Sequence, residues 1–323
     1  MTTAPITGPT VAILHPTAPI LDPTGTISGS TVAIIDATGM VIHSNRWRNG
    51  EASFIWLAQK SAMIQLRHIM KPAFLKTAVL AAFFTCTVFN APAAEPVARG
   101  FQNRVLTDAD GAKHPFVIFV PAKDQPGSRA PVMLFLHGSG ERGDNNIDQI
   151  MVGLGPAIWK RKANFPFVTV IPQCRTNSNW LADGPDAKRA LAMLKQTQAE
   201  FGTDPDRVYL TGLSMGGSGT WSIAAKDPSA WAAIVPMCSR TDVANAAKFA
   251  TARLPIWDFC GDKDRAETVK FSRDMSAALA QLKAPAKYTE YPGVGHNCWD
   301  NAYGTDELYT WLLEQSRSRN AGK

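Results

Sequence analysis

A chain of 323 residues, 45% hydrophobic and 19% charged, carries enough apolar material for one large globular domain or two small ones. Its formal net charge is +6, and removing residues 1–93 takes away six Lys/Arg and three Asp/Glu, leaving 27 against 24, net +3. That excess is too thin and too scattered to recognise nucleic acid.

The N-terminal third does not read like the rest. Residues 1–69 are rich in Thr, Pro, Ala and Ile. They echo themselves loosely (TAPI at Thr3 and Thr17, TVAI at Thr10 and Thr31), but the unequal spacings exclude a repeat array. From Met70 the pattern changes. Lys71 and Lys76 form a positive start, Thr77 to Phe89 an apolar core, and Ala91-Pro92-Ala93 a small-x-small cleavage site. A membrane-spanning helix needs about 20 apolar residues, so this run is too short to span. Residues 70–93 are expected to be a secretory signal peptide. Residues 1–69 are then a non-native start-site artefact or a disordered extension, and residues 94–323 the mature, exported chain, periplasmic or secreted, with no membrane anchor after cleavage.

Within 94–323, Phe101–Leu106 and His114–Val120 read as two antiparallel strands joined by a turn at Asp108–Gly111. Pro131–Leu136 and Phe167–Ile171 are continuous apolar runs, the signature of strands buried on both faces. Pro185–Phe201 has helical spacing. Val208–Leu210 ends the next strand, with a helix from Ser218 to Ala225 after it. Ala232–Val235, Leu254–Phe259 and Tyr288–Tyr291 complete the strands, and Asp306–Gln315 forms an amphipathic closing helix. Alternation of strand and helix predicts an α/β chain with a mainly parallel sheet covered on both faces. Only 17 residues separate the strand ending near Pro236 from that starting near Leu254, too few for a cap domain. Ligands in such sheets bind beyond the carboxyl ends of the strands. HGSG, PQC, GLSMG, the Cys238 loop, GDKD and the His296 loop all fall there.

Gly212-Leu213-Ser214-Met215-Gly216 fits G-x-S-x-G, a serine raised on a sharp strand-to-helix turn whose neighbours must be small. The three fixed letters alone recur in roughly one chain of this length in ten, so the surroundings carry the reading. A serine nucleophile needs a base. His114 opens an early strand, and His137 heads the HGSG turn in a structural or oxyanion-loop position. His296, in a loop after the last strand, suits the chain order serine, acid, histidine. For the acid, Asp262 and Asp264 both follow the strand Ile256–Phe259. Asp264 ranks first because it lies near the end of the loop, Asp258 sits inside the strand, and Asp242 is an outsider. The oxyanion donors are expected at the amide of Met215 and at Ser139 or Gly140. Glu141 and Arg142 read as a salt-bridged loop clamp, and Trp180 and Trp299 as substrate-binding aromatics. Residues 143–166 and 174–186 are the expected walls of an open site. Export permits disulfides. Cys174, Cys238, Cys260 and Cys298 allow three pairings, their spacing suits no zinc site, and a chain of this size builds a core without a bridge.

LFLHGSGERGD from Leu134, VIPQC from Val170, GLSMGG from Gly212, FCGDKD from Phe259 and YTEYPGVGHNCWDNAY from Tyr288 resemble the α/β-hydrolase superfamily. They are closest to its compact carboxylesterase group: phospholipase/carboxylesterases, dienelactone-hydrolase-like proteins, feruloyl esterases and polyhydroxybutyrate depolymerases. The similarity spans about residues 100–317. It implies an α/β-hydrolase fold without a cap, a triad of Ser214, Asp264 and His296, no cofactor and no metal. The implied activity is hydrolysis of carboxylic esters through an acyl-enzyme, on a small-molecule or polymer-fragment substrate. One departure stands out: where such proteins usually carry His-Gly before the acid loop, this chain has Cys260-Gly261. A serine peptidase of the same fold and a non-catalytic binding protein are the competing readings.

Overall fold

The computed structural model describes residues 32–35, 41–44, 98–123 and 129–322. The chain divides into two compact units, Met1–Ala94 and Glu95–Lys323. In the first, β1 (Val32–Ile35) pairs antiparallel with β2 (Val41–Ser44). The expected signal segment, residues 70–93, lies outside the described residues.

In the second unit the apolar runs become strands with no exposed position: β5 (Val132–Leu136), β6 (Val168–Pro172), β7 (Val208–Leu213), β8 (Ala233–Met237) and β9 (Ile256–Gly261) are buried throughout. With β3 (Gly100–Thr107), β4 (Lys113–Val120) and β10 (Ala286–Tyr291) they make an eight-stranded sheet of order β10-β9-β8-β7-β5-β6-β4-β3. The β3–β4 and β4–β6 pairs are antiparallel and the others parallel. The edge strand β10 reads AKYTEY and is only half-buried, its lysine and glutamate blunting an otherwise open edge.

Two apolar layers cover the sheet. One face receives α2 (Pro185–Phe201), α3 (Met215–Lys226), α4 (Ala246–Thr251) and α5 (Ala266–Gln281) through Met193, Trp221, Phe249 and Met275. The other receives α1 (Leu154–Arg161), α6 (Trp299–Gly304) and α7 (Asp306–Leu313) through Ile158, Tyr303 and Leu312. A short α8 (Arg317–Ala321) follows. This is the α/β-hydrolase architecture. The β8–β9 connection holds only a 3-10 turn and α4, so among the described residues it builds no cap over the sheet. Among the described residues no helix is long and apolar enough to cross a membrane.

Boundaries differ from the sequence reading in two informative places. Helix α3 starts at Met215 rather than Ser218. Gly216 and Gly217 read as turn because glycine is a poor helix former. Gly216 is nevertheless required inside the helix, since a Cβ there would stand 1.9 Å from the Leu136 carbonyl oxygen. The stretch 143–166, expected as loop, contains α1. Its Leu154, Ala157 and Ile158 have helical spacing, but Gly153, Gly155 and Pro156 mask it.

Candidate active site

Ser214 sits between β7 and α3 with φ 53° and ψ −113°. A non-glycine residue at positive φ costs roughly 1–3 kcal/mol and persists only when its surroundings impose it. Here the Ser214 amide donates to Met237 O at the end of β8 (2.9 Å), and the packing of Gly216 on Leu136 fixes the start of α3. The hydroxyl is thereby lifted above the carboxyl ends of the strands.

Two loops bring a histidine and a carboxylate to it. His296 Nε2 lies 2.8 Å from Ser214 Oγ, and His296 Nδ1 lies 2.9 Å from both Asp264 oxygens. With Nδ1–H donating to the carboxylate, Nε2 is left to accept the serine proton. The Asp264 side chain is closed off from solvent and also accepts from the Arg265 amide (2.7 Å). The loops approach this closely because Gly261 ends β9. A Cβ there would lie 2.2 Å from Val294 O.

The other acids are elsewhere. Asp262 accepts from the Gly293 amide (2.7 Å) and so braces the turn before His296. Asp242 caps a 3-10 turn through the Ala244 amide. Asp258 is buried inside β9, and burial, opposed by the Ser272 hydroxyl and the Phe259 amide, pushes its carboxyl up to about 7. His114 pairs with Asp108 at the β3–β4 hairpin (2.8 Å).

His137 is fully buried. Its Nδ1–H donates to Gly138 O (2.6 Å), and Nε2 accepts from the Cys174 amide (2.9 Å). Burial pulls its pKa down to about 4, so it is a neutral strut tying the β5 and β6 loops rather than a base.

The amide of Met215 is one of the first-turn donors that an α-helix leaves unpaired. The turn after β5 passes beside the serine. A Cβ on Gly138 would lie 3.7 Å from Ser214 Cβ, and Ser139 and Gly140 follow it, exposed, in a 3-10 turn. Arg142 clamps this turn by donating to the Ser139 and Ser178 carbonyls (3.1 and 3.3 Å). The clamp therefore works through carbonyls, not the expected salt bridge with Glu141.

Trp180 requires a correction. It is buried, its indole N–H donates to His137 O (3.0 Å), and its ring packs edge-on to His137, so it presents no surface to a substrate. A tryptophan near a strand end looks the same in sequence whether it packs or lines a pocket. Trp180→Phe is expected to lower stability by about 2–3 kcal/mol in denaturant melts, through lost packing and an orphaned carbonyl. Trp299 is half-buried, edge-on to His296 at 5.5 Å between ring centroids. It borders an open cleft of about 440 Å³ lined also by Met151, Pro156, Lys160, Asn297 and Tyr303.

Sequence reasoning missed two supports. Gln173 accepts from the Asn146 amide (2.7 Å) and donates to Glu141 O (3.1 Å), pinning the 141–146 loop; the PQC motif was its only signal. Cys238 and Cys298 form a disulfide, whereas Cys174 and Cys260 are buried free thiols.

Sheet order and elbow together are those of the α/β-hydrolase fold. Residues 151–304 match the model of the Dienelactone hydrolase family. The chain is 32% identical over 157 residues to a bifunctional acetylxylan esterase/xylanase of Neocallimastix patriciarum, covering 48% of this chain and 22% of that protein. The structure resembles that of a thermostable esterase (TM-score 0.61, 31% identity, 67% of this chain and 63% of that one). It also resembles a ferulic acid esterase (TM-score 0.52, 16% identity, 68% and 98%), a likeness of fold. The chain thus spans about a fifth of the curated relative and under two thirds of the thermostable esterase.

Proposed function

We propose that this protein is a serine carboxylesterase acting through Ser214, His296 and Asp264. The observation that carries the reading is the continuous contact of hydroxyl, imidazole and buried carboxylate at 2.8 and 2.9 Å. His296 Nε2 takes the Ser214 proton as Oγ attacks the ester carbonyl, while Asp264 fixes the tautomer and stabilises the imidazolium. The Met215 amide, with that of Ser139 or Gly140, holds the oxyanion. The imidazolium then protonates the departing alcohol. In the second half His296 takes a proton from water, whose oxygen attacks the acyl carbonyl; the bond to Oγ breaks, the imidazolium returns the proton to Ser214, and the acid is released.

Among the described residues no cap covers the sheet, and Trp299, edge-on to His296, borders an open cleft. With the segment from Met70 read as an export signal, this favours esters too large to import, such as acylated polysaccharide or polyester fragments. The acetylxylan esterase relative points the same way. Purified protein should hydrolyse p-nitrophenyl acetate, and assays with longer acyl chains, acetylated xylan and methyl ferulate define the range. A folded wild-type protein inactive on every ester in that set would reject the reading. Trp299→Ala is expected to raise KM about 3- to 10-fold for the preferred ester with little change in kcat, since an aromatic contact is worth about 0.5–1.5 kcal/mol beyond its buried area.

A further inference from the structure

The Cys238–Cys298 disulfide closes a stretch of 60 residues that contains both Asp264 and His296. Cys238 directly follows Met237, whose carbonyl accepts the Ser214 amide. Its own backbone is in the left-handed region (φ 50°), held by donation from its amide to Phe259 O (2.8 Å). Cys298 stands two residues after His296, and its amide donates to the His296 carbonyl (3.0 Å). The Cys238 sulfur, an Asp264 oxygen and a His296 ring nitrogen all lie within 4.8 Å of one another. Both cysteines are buried.

The hydrogen bonds of loop 292–297 show what else secures the imidazole. Among the described residues they run to 262–264, where Asp262 takes the Gly293 amide and the Lys263 amide meets Val294 O, or stay local. They fix His296 relative to Asp264. Toward the segment behind Ser214 run the imidazole–hydroxyl bond and the disulfide, with the hydrogen bond between the Tyr303 and Thr211 hydroxyls (2.8 Å), five residues beyond Cys298, tying the following helix to β7. An imidazole misplaced by about 1 Å costs on the order of 100-fold in rate.

We propose that the Cys238–Cys298 bridge is a positioning element of the active site, holding the His296 loop in register with the backbone that carries Ser214. The inference rests on the esterase reading. It also fits an oxidising compartment, where such a bridge persists.

The test uses the full chain as wild type, Cys238→Ala, Cys298→Ala and the double variant. Thiols are titrated in denaturant before and after reduction, and kcat and KM are measured well below the lowest melting temperature. Wild type should show two fewer thiols before reduction than after. Each variant should lose about 10- to 100-fold in kcat with KM within about threefold. The two single losses should not add in the double variant, because either substitution removes the same link. Equal thiol counts would overturn the proposal. So would variants with lower melting temperature but wild-type kcat, which would make the bridge a stabiliser only. A wild type with no esterase activity would instead remove the reading beneath it.

Discussion

Ser214→Ala is expected to lower kcat/KM for p-nitrophenyl acetate by about a million-fold, with His296→Ala close behind and Asp264→Asn about ten-thousand-fold. The ordering follows from the geometry. In the proposed mechanism the Ser214 oxygen makes the new bond and the His296 nitrogen moves the proton, so either loss ends the covalent route. Asp264 acts through the ring: asparagine in its place still fills the buried space but leaves Nδ1 in the wrong tautomer. Because the three act as one unit, the Ser214→Ala/His296→Ala double variant should be no slower than Ser214→Ala alone. Steady-state kinetics on folded variants, checked by circular dichroism, measures this. Ser214→Ala retaining a tenth of wild-type activity would exclude the mechanism.

The second large effect concerns stability. Asp258 is buried in β9, and burial outweighs the Ser272 hydroxyl and the Phe259 amide beside it to push its carboxyl up to about 7. In the unfolded chain it ionises near its ordinary value of 3.8. Between about pH 4 and pH 7 the unfolded state therefore releases a proton that the folded state keeps, and stability falls as pH rises. His137 works the other way. Its folded pKa of about 4, against an ordinary 6.5, makes the unfolded state bind the extra proton, so stability rises from pH 4 to pH 6.5. Over that window the two slopes oppose each other. Asp258→Asn, nearly isosteric with the neutral acid, removes one of them. The variant should match wild type near pH 4 and exceed it by up to about 4 kcal/mol at pH 8, roughly three units at 1.36 kcal/mol each. Urea melts at the two pH values measure the difference, and an equal difference at both would contradict the assignment.

The sheet was legible because its strands are buried on both faces: VMLFL and AIVPM admit no other placement. The serine was legible from the glycines of its elbow, which tolerate no side chain, and the acid and histidine from the chain order that such a serine brings with it. Less could be read where one residue type serves two purposes. Asp262 and Asp264 stand one residue apart. Only the path of the loop decides that one braces Gly293 and the other meets the imidazole. Trp180 and Trp299 likewise differ in burial, not in local sequence. The disulfide was invisible for a third reason: Cys238 and Cys298 are neighbours only because β8 and the loop after β10 end on the same rim.

The most direct measurement is covalent. A fluorophosphonate probe reacts with a serine hydroxyl made nucleophilic by an adjacent base. After labelling and digestion, peptide mass mapping should place a single adduct on Ser214. Labelling should be absent in Ser214→Ala and slowed at least about a thousand-fold in His296→Ala. An adduct on any other residue, or hydrolysis of esters without labelling of Ser214, would contradict the account.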